Sequence, residues 1–129
     1  MHLYSFEKLD AWQEGKKLVV ELYKITGAFP AEERFGITMQ IRRASISVVS
    51  NIAEGSARSS AKDQAHFYQV AYSSLIEILN QLIIAQALTF INEKALSEVR
   101  TSIEGLLSKI AALRNAQLSK VNAASTPKP

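Results

Sequence analysis

Apolar residues recur every three or four positions along most of this chain, and that period predicts helices. The first segment runs from about Glu7 to Phe29, with Ala11, Gly15, Leu18, Leu22, Ile25 and Phe29 on one stripe. Trp12, Val19 and Tyr23 widen it. Phe29-Pro30 ends the segment, because the residue before a proline is pushed out of the α region. A second segment runs from about Glu32 to Ala57, its two leading acids suited to a helix N-terminus. A third starts near Ser60, where Ser60-Ala61-Lys62-Asp63 resembles a capping box, and continues to about Ala87. The fourth opens at Asn92 and carries a heptad-like seam of Leu96, Val99, Ile103, Leu106, Ile110 and Leu113.

Short connections between long helices favour antiparallel neighbours, so the expected fold is all-α, an up-down-up-down four-helix bundle over residues 1–120. Residues 121–129, ending Thr126-Pro127-Lys128-Pro129, read as a disordered C-terminal tail. No strand-like alternation, hairpin signal or internal repeat competes with this.

Two of the helices carry more apolar surface than a monomeric bundle can hide. Between Phe67 and Ile91 the only ionisable carboxylate or base is Glu77, and apolar residues point in nearly every direction. The amides and serines in that stretch argue against a membrane span, which needs about 20 mostly apolar residues. On the second helix Ile37, Ile41, Ala44, Val48 and Ile52 form one stripe, at about 100° per residue, while Ile46, Val49 and Ala53 form another. A helix apolar on two sides sits between its own core and a neighbouring subunit, so a homo-oligomer is expected.

Between those stripes Gln40, Arg43, Ser47, Asn51, Glu54 and Arg58 fall on one narrow band, with Arg42 alongside. One reading is a salt-bridge and hydrogen-bond network that fixes helix register, with Glu54 and Arg58 paired at i,i+4. The other is a surface for phosphates, with Arg42, Arg43 and Arg58 as donors.

Composition narrows the chemistry. The 129 residues suit one domain, with 47% hydrophobic and 21% charged residues. Without cysteine there are no disulfides, thiolate metal sites or cysteine nucleophiles, which fits a reducing, cytoplasmic setting. The N-terminal residues lack the basic and apolar regions of a signal peptide. A net charge of +3 leans towards anionic partners. His2 and His66 have no acidic or histidine partner at ligand spacing, and no Glu-x-x-His, Gly-x-Ser-x-Gly or phosphate-cradling glycine loop occurs. The expectation is therefore a protein without catalytic residues, cofactor or metal.

The residues also resemble a known family. Leu9-x-x-Trp12-Gln13 and Tyr23-x-x-Thr26-x-x-Phe29-Pro30-x-x-Glu33 are similar to the opening of the proteins encoded in intervening sequences of bacterial 23S rRNA genes, sometimes named S23 ribosomal proteins. Gln40-x-Arg42-Arg43-Ala44-x-x-Ser47-Val48, then Asn51-Ile52-Ala53-Glu54-Gly55-x-x-Arg58, match more closely, and Phe67 and Ala71-x-Ser73-Ser74-x-x-Glu77 continue the likeness. Ser45, Ala57-Arg58 and Ser73 depart mildly from the family pattern. The resemblance spans about residues 6–118 and implies an antiparallel bundle assembled into a ring, typically a homopentamer, with no catalytic residue. The chain is similar also to the accessory proteins of diversity-generating retroelements, basic pentamers that work with a reverse transcriptase and nucleic acid.

Two functions follow as expectations. One is an oligomer that binds RNA or DNA through the basic residues of the second helix. The other is a protein–protein scaffold or adaptor, in which Glu54 offsets the arginines and the band holds subunits or a partner helix.

Overall fold

The structure is a computed structural model and describes residues 1–125. Its long helices are α1 (Asp10–Gly27), α2 (Ile37–Ala57), α3 (Ala61–Ala87) and α4 (Glu93–Ser125). Short 3-10 turns at Ser5–Lys8 and Ala31–Glu33 precede α1 and α2. Contacts run from α1 to α2, α2 to α3, α3 to α4 and back from α4 to α1, which closes a four-helix bundle. The α2–α3 contact is the most extensive and the α1–α4 contact the slightest of these.

The chain ends each helix for a local reason. Ser60 accepts a hydrogen bond from the Asp63 backbone N–H at 3.1 Å, and Asn92 accepts one from Ala95 N–H at 2.8 Å. Each satisfies one of the orphan donors of a first turn. At the end of α3, Phe90 N–H reaches Ala85 O at 2.8 Å and Thr89 N–H reaches Gln86 O at 3.0 Å. This is a Schellman closure, and it places Thr89 at φ 67°, a position glycine normally takes.

Two expected boundaries move. The helix expected from Glu32 begins at Ile37, because the chain first makes a 3-10 turn and then breaks at Gly36, whose backbone lies at φ −105°, ψ −120°. α4 continues past residue 120 to Ser125, since Val121, Asn122, Ala123 and Ala124 simply extend a helix that has no stop signal before Pro127. The rest of the expected tail, 126–129, lies outside the described residues.

The core is the set of stripes meeting at the centre. Leu18 and Leu22 of α1, Ile41, Val48 and Ile52 of α2, Leu75, Ile78 and Leu82 of α3, and Val99, Ile103 and Ile110 of α4 are all buried. By length and composition α3 could cross a membrane. Its Leu75, Ile78, Leu82 and Ala85 are nevertheless fully enclosed by the other helices, as in the central helix of a bundle. Its opposite side leaves Ile76, Ile83, Ile84 and Leu88 exposed.

α2 and α3 are tightly packed at Gly55. A Cβ there would lie 2.7 Å from Tyr68 Cε1 and 3.2 Å from Phe67 Cβ, so the missing side chain sets the approach. Tyr68 is buried against it, and burial raises the pKa of its phenol. Gly105, on the exposed side of α4, has nothing within 4 Å of where a Cβ would sit.

On the α1–α4 side, burial and then the carboxylate of Glu98 raise the pKa of Glu21. The folded protein therefore holds that proton more tightly than the unfolded chain, and stability falls as pH rises from the ordinary carboxylate value to the raised one.

Three outcomes follow. Gly55→Ala should cost about 1–3 kcal/mol in urea unfolding, as overpacked sites do. Gly105→Ala should instead stabilise by up to about 1 kcal/mol, since only helix propensity changes. Glu21→Gln should raise Tm at neutral pH and lose that gain in acid, where Glu21 is protonated in both states, as calorimetry at the two pH values would show.

Candidate functional site

The polar band of α2, Arg43 apart, lies along α3. Gln40 Oε1 accepts from Gln81 Nε2 at 3.3 Å, and the same amide nitrogen lies 3.2 Å from Glu77 Oε1. Ser47 and Ser74 share a hydrogen bond of 3.0 Å. Asn51 Nδ2 donates to Ser47 O at 2.8 Å and to Ser47 Oγ at 3.1 Å. Arg58 pairs with Glu54 at 3.2 Å and lays its guanidinium 4.5 Å over the Phe67 ring of α3. Gln40, Ser47 and Arg58 thus reach across to α3, while Asn51 and Glu54 hold their α2 neighbours Ser47 and Arg58 in place. Among the described residues one buried side-chain atom is left over: Gln81 Oε1 has no hydrogen-bond partner.

The arginines separate. Arg42 turns to α1, where its Nε donates to Thr26 Oγ1 at 2.9 Å and its terminal nitrogen to Tyr23 O at 3.2 Å. Its guanidinium also stacks 4.6 Å above the Tyr23 ring. Thr26 is buried and itself donates to Leu22 O at 2.7 Å, so Arg42 completes a chain of bonds tying α1 to α2. Arg43, one residue on, is exposed and makes no hydrogen bond or ion pair among the described residues. Arg42 and Arg43 thus border one hollow at the start of α2, while Arg58 lies at its far end beside Glu54, so the three do not gather at one spot.

On the outward side of α2, Ile46 and Ala53 of the second apolar stripe are joined by residues that the periodicity did not signal. An open hollow of about 460 Å³ is lined by Tyr23, Phe35, Met39 and Ile46, with Arg34, Arg42 and Arg43 on it. Phe35 is 74% exposed, and Arg34 stacks 4.8 Å from its ring. No carboxylate lines this hollow. A second, of about 470 Å³, lies at the other end of α2 between Tyr4, Phe6, Ser50, Ala53, Glu54 and Ala57. Phe35 could have been noticed as a large apolar side chain in a connection, where nothing in the bundle would cover it. The Tyr4 and Phe6 contact could not, since the preceding turn has no periodic pattern.

Among the described residues no three of His, Cys, Asp and Glu gather as metal ligands would. The arrangement can offer apolar contact, stacking and guanidinium donors.

Because Arg42 is bonded within the bundle, Arg42→Ala should lower stability by about 1–2 kcal/mol, while Arg43→Ala should change it by less than about 0.5 kcal/mol. Urea denaturation of the two variants would separate a fold residue from a surface one.

Comparison with other proteins agrees with this architecture. No curated protein matches the chain significantly. A protein of unknown function from the S23 ribosomal protein family of Bacteroides thetaiotaomicron superposes with a TM-score of 0.72. The match covers 81% of this chain and 97% of the other, and at 16% identity it shows the shared fold alone. The family model of the 23S rRNA-intervening sequence proteins matches residues 7–112, most of the bundle, and the chain belongs to that family.

Proposed function

We propose that this protein acts by binding and not by catalysis, as a homo-oligomeric scaffold that holds a partner protein in the cytoplasm. The observation that carries this is the apolar surface left on the outside: Ile76, Ile83, Ile84 and Leu88 on α3, and Phe35 and Ile46 at α2. A soluble subunit rarely exposes so much on adjacent helices unless another surface covers it. Two such faces on one subunit can build an assembly larger than a dimer, and the family resemblance makes a ring of five the expected form.

A second reading is contact with RNA or DNA, alone or beside a nucleic-acid enzyme such as a reverse transcriptase. Arg34 and Arg43 favour it, because they stand free of carboxylates at a hollow that also offers aromatic rings. A ring would multiply the subunit's +3 charge. The commitment of Arg42 to α1 and of Arg58 to Glu54 weighs against it.

Solution mass by light scattering, with and without a short RNA at low and moderate salt, decides between them. A stable oligomer indifferent to RNA is the expected result. An oligomer that takes up RNA at low salt and releases it at moderate salt would favour the second reading, because phosphate contacts weaken steeply with ionic strength. A monomer at all concentrations would overturn the scaffold reading.

A further inference from the structure

Three guanidiniums and no carboxylate line the hollow at the start of α2. The side chains of Arg34 and Arg43 are exposed and make no hydrogen bond or ion pair among the described residues. Arg34 lies on the Phe35 ring and Arg42 on the Tyr23 ring. Such stacking occupies the face of a guanidinium and leaves its N–H edge for an oxygen anion. α2 also begins at this hollow without a side-chain cap, so the positive end of its dipole adds to the same sign. A smaller recess of about 160 Å³ shares Arg34, Thr38 and Arg42, and extends the concave surface to the turn at Pro30. Whatever fills this place must bring the negative charge itself.

The apolar part of the lining decides which anion suits it. Met39, Ile46 and the rings of Phe35 and Tyr23 lie among the guanidiniums, with only the hydroxyls of Tyr23 and the buried Thr38 beside them. A nucleobase laid there would turn ring nitrogens and carbonyls towards side chains that cannot bond them, which is costly. An aromatic or long aliphatic side chain has no such groups to satisfy, and gains by covering Phe35, which is 74% exposed. The volume of about 460 Å³ falls in the range of pockets that enclose a small ligand, and so has room for large side chains.

We infer that this hollow holds a segment of a partner protein in which an aspartate or glutamate adjoins an aromatic or large aliphatic residue. The carboxylate takes a guanidinium edge at Arg34 or Arg43, and the apolar side chain covers Phe35, Met39 and Ile46. The site uses only the first turns of α2. It is clear of the far end, where Tyr4 and Phe6 pack by Ala53 and Ala57, and of the exposed isoleucines of α3. The inference rests on the scaffold reading above and assigns the chemistry of what is held.

Selection of random linear peptides displayed on phage against the full chain tests this. The enriched peptides should carry an acidic residue within about two positions of an aromatic or large aliphatic one. A labelled synthetic copy of the leading peptide should lose at least about tenfold in affinity, by fluorescence anisotropy, to Arg34→Ala combined with Arg43→Ala. Phe35→Ala should weaken it by a similar factor, as should replacing the peptide's acid by its amide. Arg34, Phe35 and Arg43 are all exposed, so helical circular dichroism should be unchanged in these variants. Enriched peptides without acids, no enrichment at all, or affinity indifferent to these substitutions would overturn the site. Peptide binding lost on Ile83→Lys instead would also overturn it, while leaving the scaffold reading standing on α3. A short RNA whose binding these substitutions abolish, with no peptide enriched, would assign the hollow to nucleic acid and overturn the inference. Wild-type mass is read separately: a monomer that still binds the peptide supports this site and removes the oligomeric scaffold.

Discussion

The α2–α3 contact is the one on which the rest of the molecule depends. Ile41, Val48 and Ile52 face Leu75, Ile78 and Leu82 across the core, and Gly55 lets the two backbones close at the end where Tyr68 and Phe67 sit. That approach brings Ser47 to Ser74 and Gln40 to Gln81, so the polar edge of the contact is hydrogen-bonded and not merely solvated. It also fixes the rotation of α2 about its own axis. Once the core stripe points inward, Met39, Arg43, Ile46 and Ala57 have no choice but to point outward.

The fold was legible because the forces that make it leave a periodic trace. The fourth seam is buried from Leu96 to Ile110 and partly so at Leu113, its last member, and Ser60 and Asn92 cap the helices they were expected to start. Boundaries were less legible where they turn on one residue's backbone, as at Gly36, or on the lack of a stop signal, as in the run beyond Lys120.

The candidate site was legible only in part. Helical angle placed Gln40, Ser47, Asn51, Glu54 and Arg58 together, and they do lie along the α3 side of α2. The angle could not tell Arg42 from its neighbour Arg43. What separates them is Thr26, a polar residue buried on α1 that reads from sequence as ordinary and supplies the acceptor for Arg42. Such pairings across 16 positions carry no local signature. The same holds for the hollow around Phe35, which exists only because the connection before α2 folds back beside Tyr23.

Arg43 has a consequence of its own for the newly made chain. An outward face made only of methionine, isoleucine and alanine would be adhesive from the moment the bundle folds, and would join whatever apolar surface it met first. A guanidinium in the middle of that face, with no hydrogen bond or ion pair among the described residues, acts as a gatekeeper. It makes that face less adhesive towards apolar surfaces at large and more receptive to one that offers a carboxylate. Solubility of the newly made chain and discrimination among its neighbours are then set by the same side chain.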